Sequence, residues 1–206
     1  MRLYIIRHGE TSWNRKLLLQ GQTDIPLNEK GREFARKTSE GMKDIPIDLV
    51  ITSPLCRAVE TAALVLGDRA VPVIKDERIQ EIGFGIMEGG QVRNEKGQVT
   101  DPVFYNFFHE PEKYVPMEGG ETISALYERT GAFLEELKAK KEWQDKSILV
   151  STHGAASRGL LASIRKTPIK EFWGKGVPKN CAVSIVDLEN GQWIIREQDV
   201  VYYEDV

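Results

Sequence analysis

At 206 residues the chain is long enough for one well-buried domain and short for two. With 41% hydrophobic and 29% charged residues it has the balance of an ordinary soluble globular protein, which excludes a disordered chain. A formal net charge of −3 gives no general attraction to nucleic acid or to an anionic membrane, so any anionic ligand must be held by a local cluster of cations.

Leu3-Tyr4-Ile5-Ile6 opens the chain as a strand. A helix capped by Asn28, with Gly31 in its first turn, runs to about Gly41. Leu49–Thr52 is a second strand, and Ser53-Pro54 then reads as the start of a helix, serine capping and proline first. That helix is expected to bury Val59, Ala62, Ala63 and Leu66 and to carry Arg57 about one turn inside. Val71–Ile74 is a weaker strand whose proline suggests an edge. The longest helix spans about Glu121 to Lys140, with Ile123, Leu126, Thr130, Phe133 and Leu137 at helical spacing. Ile148–Ser151 is a further strand, and a helix follows His153-Gly154 through Leu160, Leu161 and Ile164. Ala182–Val186 and Trp193–Ile195 form a hairpin across Asn190-Gly191. The nearly all-apolar strands belong in a sheet covered on both faces. The expected fold is therefore a single domain over 1–206, an α/β three-layer sandwich around a mostly parallel central sheet.

Residues 84–118 break the alternation. They combine glycines with an aromatic cluster, Phe104, Tyr105, Phe107, Phe108, His109 and Tyr114, and are too long for a simple connection. They read as an inserted cap over a site, the plainer alternative being a locally packed surface excursion. Two cysteines, Cys56 and Cys181, exclude a disulfide scaffold and fit a reducing compartment. No apolar run approaches 18 residues, and residues 1–6 are too few for a signal segment, so the expected location is the cytoplasm, away from membranes. Oligomeric state leaves no signal in the sequence.

Three strand ends deliver polar groups to one sheet edge: Arg7-His8-Gly9-Glu10-Thr11, Thr52-Ser53-Pro54 leading to Arg57, and Thr152-His153-Gly154. Ligands of open α/β sheets bind at that carboxyl edge. Two of the three histidines stand directly after strands and before glycines, which we expect to permit close approach of backbone to ligand. Two guanidinium groups and helix N-terminal amides match a tetrahedral phosphate. No Gly-x-x-x-x-Gly-Lys-Ser/Thr loop, Gly-x-Gly-x-x-Gly turn, Cys-x-x-Cys or His-Glu-x-x-His occurs, so nucleoside-triphosphate, dinucleotide and metal-hydrolase readings recede.

At these residues the sequence resembles the histidine phosphatase superfamily, the branch containing cofactor-dependent phosphoglycerate mutases and small-molecule phosphatases. The resemblance runs through Arg7-His8-Gly9-Glu10-Thr11-x-x-Asn14, then Gln20-Gly21-x-x-Asp24-x-Pro26-Leu27, then Ser53-Pro54-Leu55-x-Arg57-Ala58. It continues in Glu81-Ile82-x-x-Gly85-x-x-Glu88-Gly89, Gly119-Gly120-Glu121-Thr122 and Thr152-His153-Gly154, over about 1–195. It implies that His8 is the nucleophile, that Arg7, Arg57 and His153 clamp the phosphate, and that Glu81 is the general acid and later the base. Asn14 and the backbone near Gly154 would add hydrogen bonds; Gln20, Gly21 and Thr23 would border substrate; Glu10 and Glu121 would support. It implies a metal-independent, histidine acid phosphatase-type phosphomonoesterase acting on a small phosphorylated metabolite, with no cofactor and no metal ligands. A mutase and a non-catalytic phosphate-dependent module are the alternatives. Glu81 must carry a proton when substrate binds, a state that burial and the neighbouring phosphate would favour.

Overall fold

The computed structural model describes residues 1–94 and 96–203. Its strands are β1 (Arg2–Arg7), β2 (Leu49–Thr52), β3 (Val73–Lys75), β4 (Ser147–Thr152), β5 (Val183–Glu189) and β6 (Gln192–Val200). The helices are α1 (Ser12–Arg15), α2 (Glu29–Gly41), α3 (Cys56–Leu66), α4 (Pro102–His109), α5 (Ile123–Ala139) and α6 (Gly154–Arg165). The six strands form one mixed sheet in the order β3-β2-β4-β1-β5-β6. The first four are parallel; β5 and β6 form an antiparallel hairpin at one edge. Asn190 and Gly191 both have positive φ, as the tight hairpin turn requires.

Strand alternation explains the continuous apolar runs. Tyr4 and Ile6 pack with Val50 and Leu149 against Phe34, Ala35, Ala62 and Val65 of α2 and α3. Leu3 and Ile5 point the other way, with Ile51, Ile148 and Val150, onto Phe133, Leu134, Leu160 and Leu161 of α5 and α6. Both faces are thus covered, giving the three expected layers. Among the described residues no helix is long and apolar enough to cross a membrane. Tyr203 packs on this core, stacked on Phe34 at 4.0 Å.

The start of α3 differs from expectation. Leu55, not Ser53, is its cap, and no side chain caps it. Arg57 is therefore the second helical residue. The Ser53 hydroxyl faces His153, so tertiary contact overrides its capping preference. The buried face is also displaced. Arg57, Ala58, Thr61, Ala62, Val65 and Leu66 are buried, while Val59 is only half-buried and Ala63 is exposed. Polar groups hold interior places here because backbone binds them: Thr61 Oγ1 donates to Arg57 O at 2.6 Å and accepts from Gly9 N at 2.9 Å.

Between β3 and α5 lies a third core. Phe104, Phe107 and Tyr114 are buried together with Leu19, Ile82, Phe84, Ile123, Leu126 and Phe172. Phe107 meets Phe84 edge-on at 5.2 Å and Trp173 edge-on at 5.2 Å. Trp173 Nε1 donates to the Phe107 carbonyl at 2.6 Å, tying α4 to the segment after α6.

Candidate active site

The neighbouring parallel strands β2, β4 and β1 end side by side. Arg7 is in register with Thr152, which sets His8 next to His153, their ring centroids 5.1 Å apart. Arg57 joins them from the first turn of α3, and Glu81 from the loop before α4. His8, Arg57, Glu81 and His153 are 3%, 0%, 7% and 0% exposed. The five residues thus converge from four distant stretches of chain.

His8 Nδ1 lies 2.7 Å from the Gly9 carbonyl. A carbonyl only accepts, so Nδ1 carries the hydrogen and Nε2 keeps a lone pair. Arg57 donates to Thr23 O at 2.9 Å and Gly21 O at 2.5 Å, and Arg7 donates to Pro178 O. Arg7 Nε, Arg57 Nε and His153 Nδ1 are buried with no hydrogen-bond partner. Folded proteins rarely leave such polar atoms unpaired, because each costs about 1–3 kcal/mol. Two guanidinium donors near His8 call for a shared acceptor, and an anion with several oxygens meets that need; His153 Nδ1 would be a third donor in the tautomer that places the ring hydrogen there.

The Glu81 carboxylate lies at the start of α6. It accepts from Ala155 N at 3.1 Å, Ala156 N at 3.0 Å and Ile82 N at 2.9 Å. These α6 amides, expected near Gly154 to serve the ligand, are taken by Glu81. Gly9 also differs from expectation. A side chain there would meet the Gly31 carbonyl at 2.6 Å, so the glycine admits α2, not a ligand. A side chain on Gly154 would stand 3.5 Å from Glu81 Oε2 and 3.7 Å from Arg7 Nε.

A cleft of about 340 Å³ reaches this cluster at Arg7 and Glu81, while His8, Arg57 and His153 lie buried behind its lining. Arg7, Asn14, Gln20, Glu81 and Gly154 line it, with Phe84, Val92, Arg93, Phe107 and Phe108 from the 84–118 segment and Trp173, Val177 and Asn180 from the stretch after α6. Gly21 and Thr23 do not line it; their carbonyls hold Arg57. Gln20 accepts from Thr11 Oγ1 at 2.6 Å, and its Nε2 is buried and unpartnered. Glu10 accepts from Asn28 Nδ2 at 2.6 Å.

The chain matches the model for the histidine phosphatase superfamily (branch 1) over residues 3–200. It belongs to that superfamily. Phosphoserine phosphatase 1 of Hydrogenobacter thermophilus is 28% identical, covering 97% of this chain and 92% of its own. Uncharacterized phosphatase PhoE of Bacillus subtilis is 30% identical over 95% and 93%. The solved structure of Bacillus stearothermophilus YhfR superposes with a TM-score of 0.87 at 31% identity, covering 98% of each chain.

Several positioning groups of this histidine phosphatase superfamily member escaped the sequence reading. Glu88, a residue of the Glu81-Ile82-x-x-Gly85-x-x-Glu88-Gly89 motif with no role assigned from sequence, accepts from Gln22 N at 2.8 Å, Thr23 N at 2.6 Å and Phe84 N at 3.1 Å, holding the segment whose carbonyls grip Arg57. Arg129, paired with Glu121 at 2.6 Å, donates to the carbonyls of Arg78, Gln80 and Glu81. Asn180 donates to His8 O at 3.0 Å and to Asn14 Oδ1 at 3.3 Å.

Burial lowers the basicity of Arg7, and that of Arg57 to about 10, leaving Arg57 charged at neutral pH. Burial, then Arg57 and Arg7, hold His8 well below its ordinary 6.5. Burial, then Arg57, His8, Arg129 and Arg7, do the same to His153. Both imidazoles are therefore neutral at pH 7. Below 6.5 the unfolded chain takes up protons that the folded chain refuses, so stability falls as pH falls, by up to about 1.4 kcal/mol per unit for each histidine. His8→Asn removes one such group. Denaturant titrations at pH 6 and pH 5 should show the wild type losing about 1 kcal/mol more than the variant across that unit. Equal losses would mean His8 is not held neutral.

Proposed function

We propose that the chain is a metal-independent phosphatase of the histidine acid phosphatase type that hydrolyses small-molecule phosphomonoesters through a phosphohistidine at His8. The observation that carries this reading is the pair of buried, unpartnered guanidinium donors on Arg7 and Arg57, with the unpartnered Nδ1 of His153, around an imidazole whose Nε2 lone pair is free. His8 Nε2 attacks phosphorus, and the bond from phosphorus to the ester oxygen breaks. Glu81 gives its proton to the departing alkoxide. Water then attacks the phosphohistidine, Glu81 takes a proton from it, the P–N bond breaks, and His8 returns to its starting form. Covalent transfer divides a hard step into two easier ones. Arg7, Arg57 and His153 stabilise the charge on the equatorial oxygens, each preorganised donor being worth about 3–4 kcal/mol in such sites. The guanidinium groups supply the positive charge that a metal provides elsewhere.

In this reading residues 84–118 are the cap that sets substrate choice, and Asn14 and Gln20 border the phosphate end. Arg93 is the cap's cation in the cleft. It donates to Gly97 O at 2.8 Å, lies 4.1 Å from the Phe108 ring and makes no ion pair among the described residues. Lys96 is exposed, and Lys113 pairs with Glu110 at the surface. One cation amid Phe107, Phe108 and Trp173 suits a monoester with at most one further acidic group. It does not suit retention of a bisphosphate by a mutase. The test is release of inorganic phosphate across a phosphometabolite library, against isomerisation of 3-phosphoglycerate. Phosphate release without isomerisation supports the phosphatase; isomerisation with the phosphoryl group retained would replace it with the mutase. Phosphoserine, the ester named for the Hydrogenobacter relative, carries such an acidic group. Arg93→Ala should therefore raise KM for phosphoserine about tenfold more than for p-nitrophenyl phosphate. Parallel changes would remove Arg93 from substrate selection.

A further inference from the structure

The tautomer of His8 follows from its carbonyl partner, but the ring partner of His153 is a hydroxyl, which can donate or accept. We propose that Ser53 fixes His153 as the neutral tautomer with hydrogen on Nδ1, making Ser53 the positioning residue that turns His153 into an anion donor. The proposal deepens the phosphate reading of this site and rests on it for the identity of the acceptor.

The argument is a count of one hydrogen and two lone pairs. Ser53 is wholly buried. Its Oγ accepts from Leu55 N at 3.3 Å and lies 2.8 Å from His153 Nε2. Among the described residues, Nε2 is the acceptor within reach of the serine hydrogen. Were Nε2 itself protonated, Oγ would accept twice, and its own hydrogen would be stranded inside the protein, which native structures avoid. Nε2 therefore keeps its lone pair, and the ring hydrogen sits on Nδ1. That atom is buried and unpartnered, beside His8. Burial, and then the charges and rings of Arg57 from α3, His8 after β1, Arg129 from α5 and Arg7 from the end of β1, disfavour a second ring proton. The neutral ring is then a donor or an acceptor toward the anion according to its tautomer alone. This also explains why Ser53 does not cap α3.

The test is ¹⁵N NMR of histidine-labelled protein at pH 7.5, with His8 and His109 assigned through His8→Asn and His109→Gln. The wild-type spectrum should show His153 protonated on Nδ1 and unprotonated on Nε2. Ser53→Ala should lose that single tautomer and bind inorganic phosphate at least about tenfold more weakly, and Ser53→Thr should restore both. A wild-type ring protonated on Nε2 overturns the proposal. So does a Ser53→Ala spectrum with the Nδ1 tautomer intact, whatever the phosphate affinity. If Ser53→Ala does not fold, the wild-type spectrum decides alone. The spectrum reads the tautomer whether or not the protein turns over an ester, so a failed phosphatase assay is a separate result.

Discussion

His8→Ala is expected to lower kcat by at least about 10⁴ on every phosphomonoester, because it removes the covalent route entirely. Phosphate-monoester hydrolysis is among the slowest uncatalysed reactions, and enzymes accelerate it by up to about 10²¹, or on the order of 28 kcal/mol. Clamping donors alone fall far short of that. The variant retains Arg7, Arg57 and His153, so inorganic phosphate should still bind, which separates loss of chemistry from loss of fold. Comparable turnover by His8→Ala would end the phosphohistidine mechanism.

Glu81→Gln is expected to slow phosphoserine hydrolysis by about 10²–10³ while slowing p-nitrophenyl phosphate less than about tenfold. The serine alkoxide needs a proton to leave; nitrophenolate needs little help. The substitution also has a structural cost. Glu81 accepts from three backbone amides, and glutamine can accept on only one oxygen, turning its NH₂ toward the Ala155 or the Ala156 amide. A lower Tm is therefore expected alongside the kinetic split. The ratio of the two substrates, not the absolute rate, is the readout that mere destabilisation would not move. Equal slowing on both esters would reassign the acid.

The sheet was readable from sequence because β1, β2 and β4 are covered on both faces, which writes burial as unbroken apolar runs. The strand-end pairs Arg7-His8 and Thr152-His153 pointed to the site because parallel topology places carboxyl ends at one edge. The start of α3 is not legible locally because Ser53-Pro54 has the chemistry of a cap, and the contact that claims the serine comes from His153, 100 residues away. Gly9 reads as a ligand-side glycine because nothing local reveals that Gly31 packs against it. The grip on Arg7 and Arg57 comes from the carbonyls of Pro178, Gly21 and Thr23, and carbonyls look the same at every residue. Arg129 and Glu88 act in the same indirect way, on backbone that carries functional side chains; no motif marks Arg129, and the motif that contains Glu88 does not reveal that role.

The most direct test of the account is rapid quenching during turnover of a ³²P-labelled phosphomonoester, followed by peptide mapping. The account predicts an acid-labile, base-stable label on the peptide bearing His8, formed and lost at rates compatible with kcat and absent from His8→Ala. Label on another residue, or full turnover with no labelled protein at any time point, would contradict it.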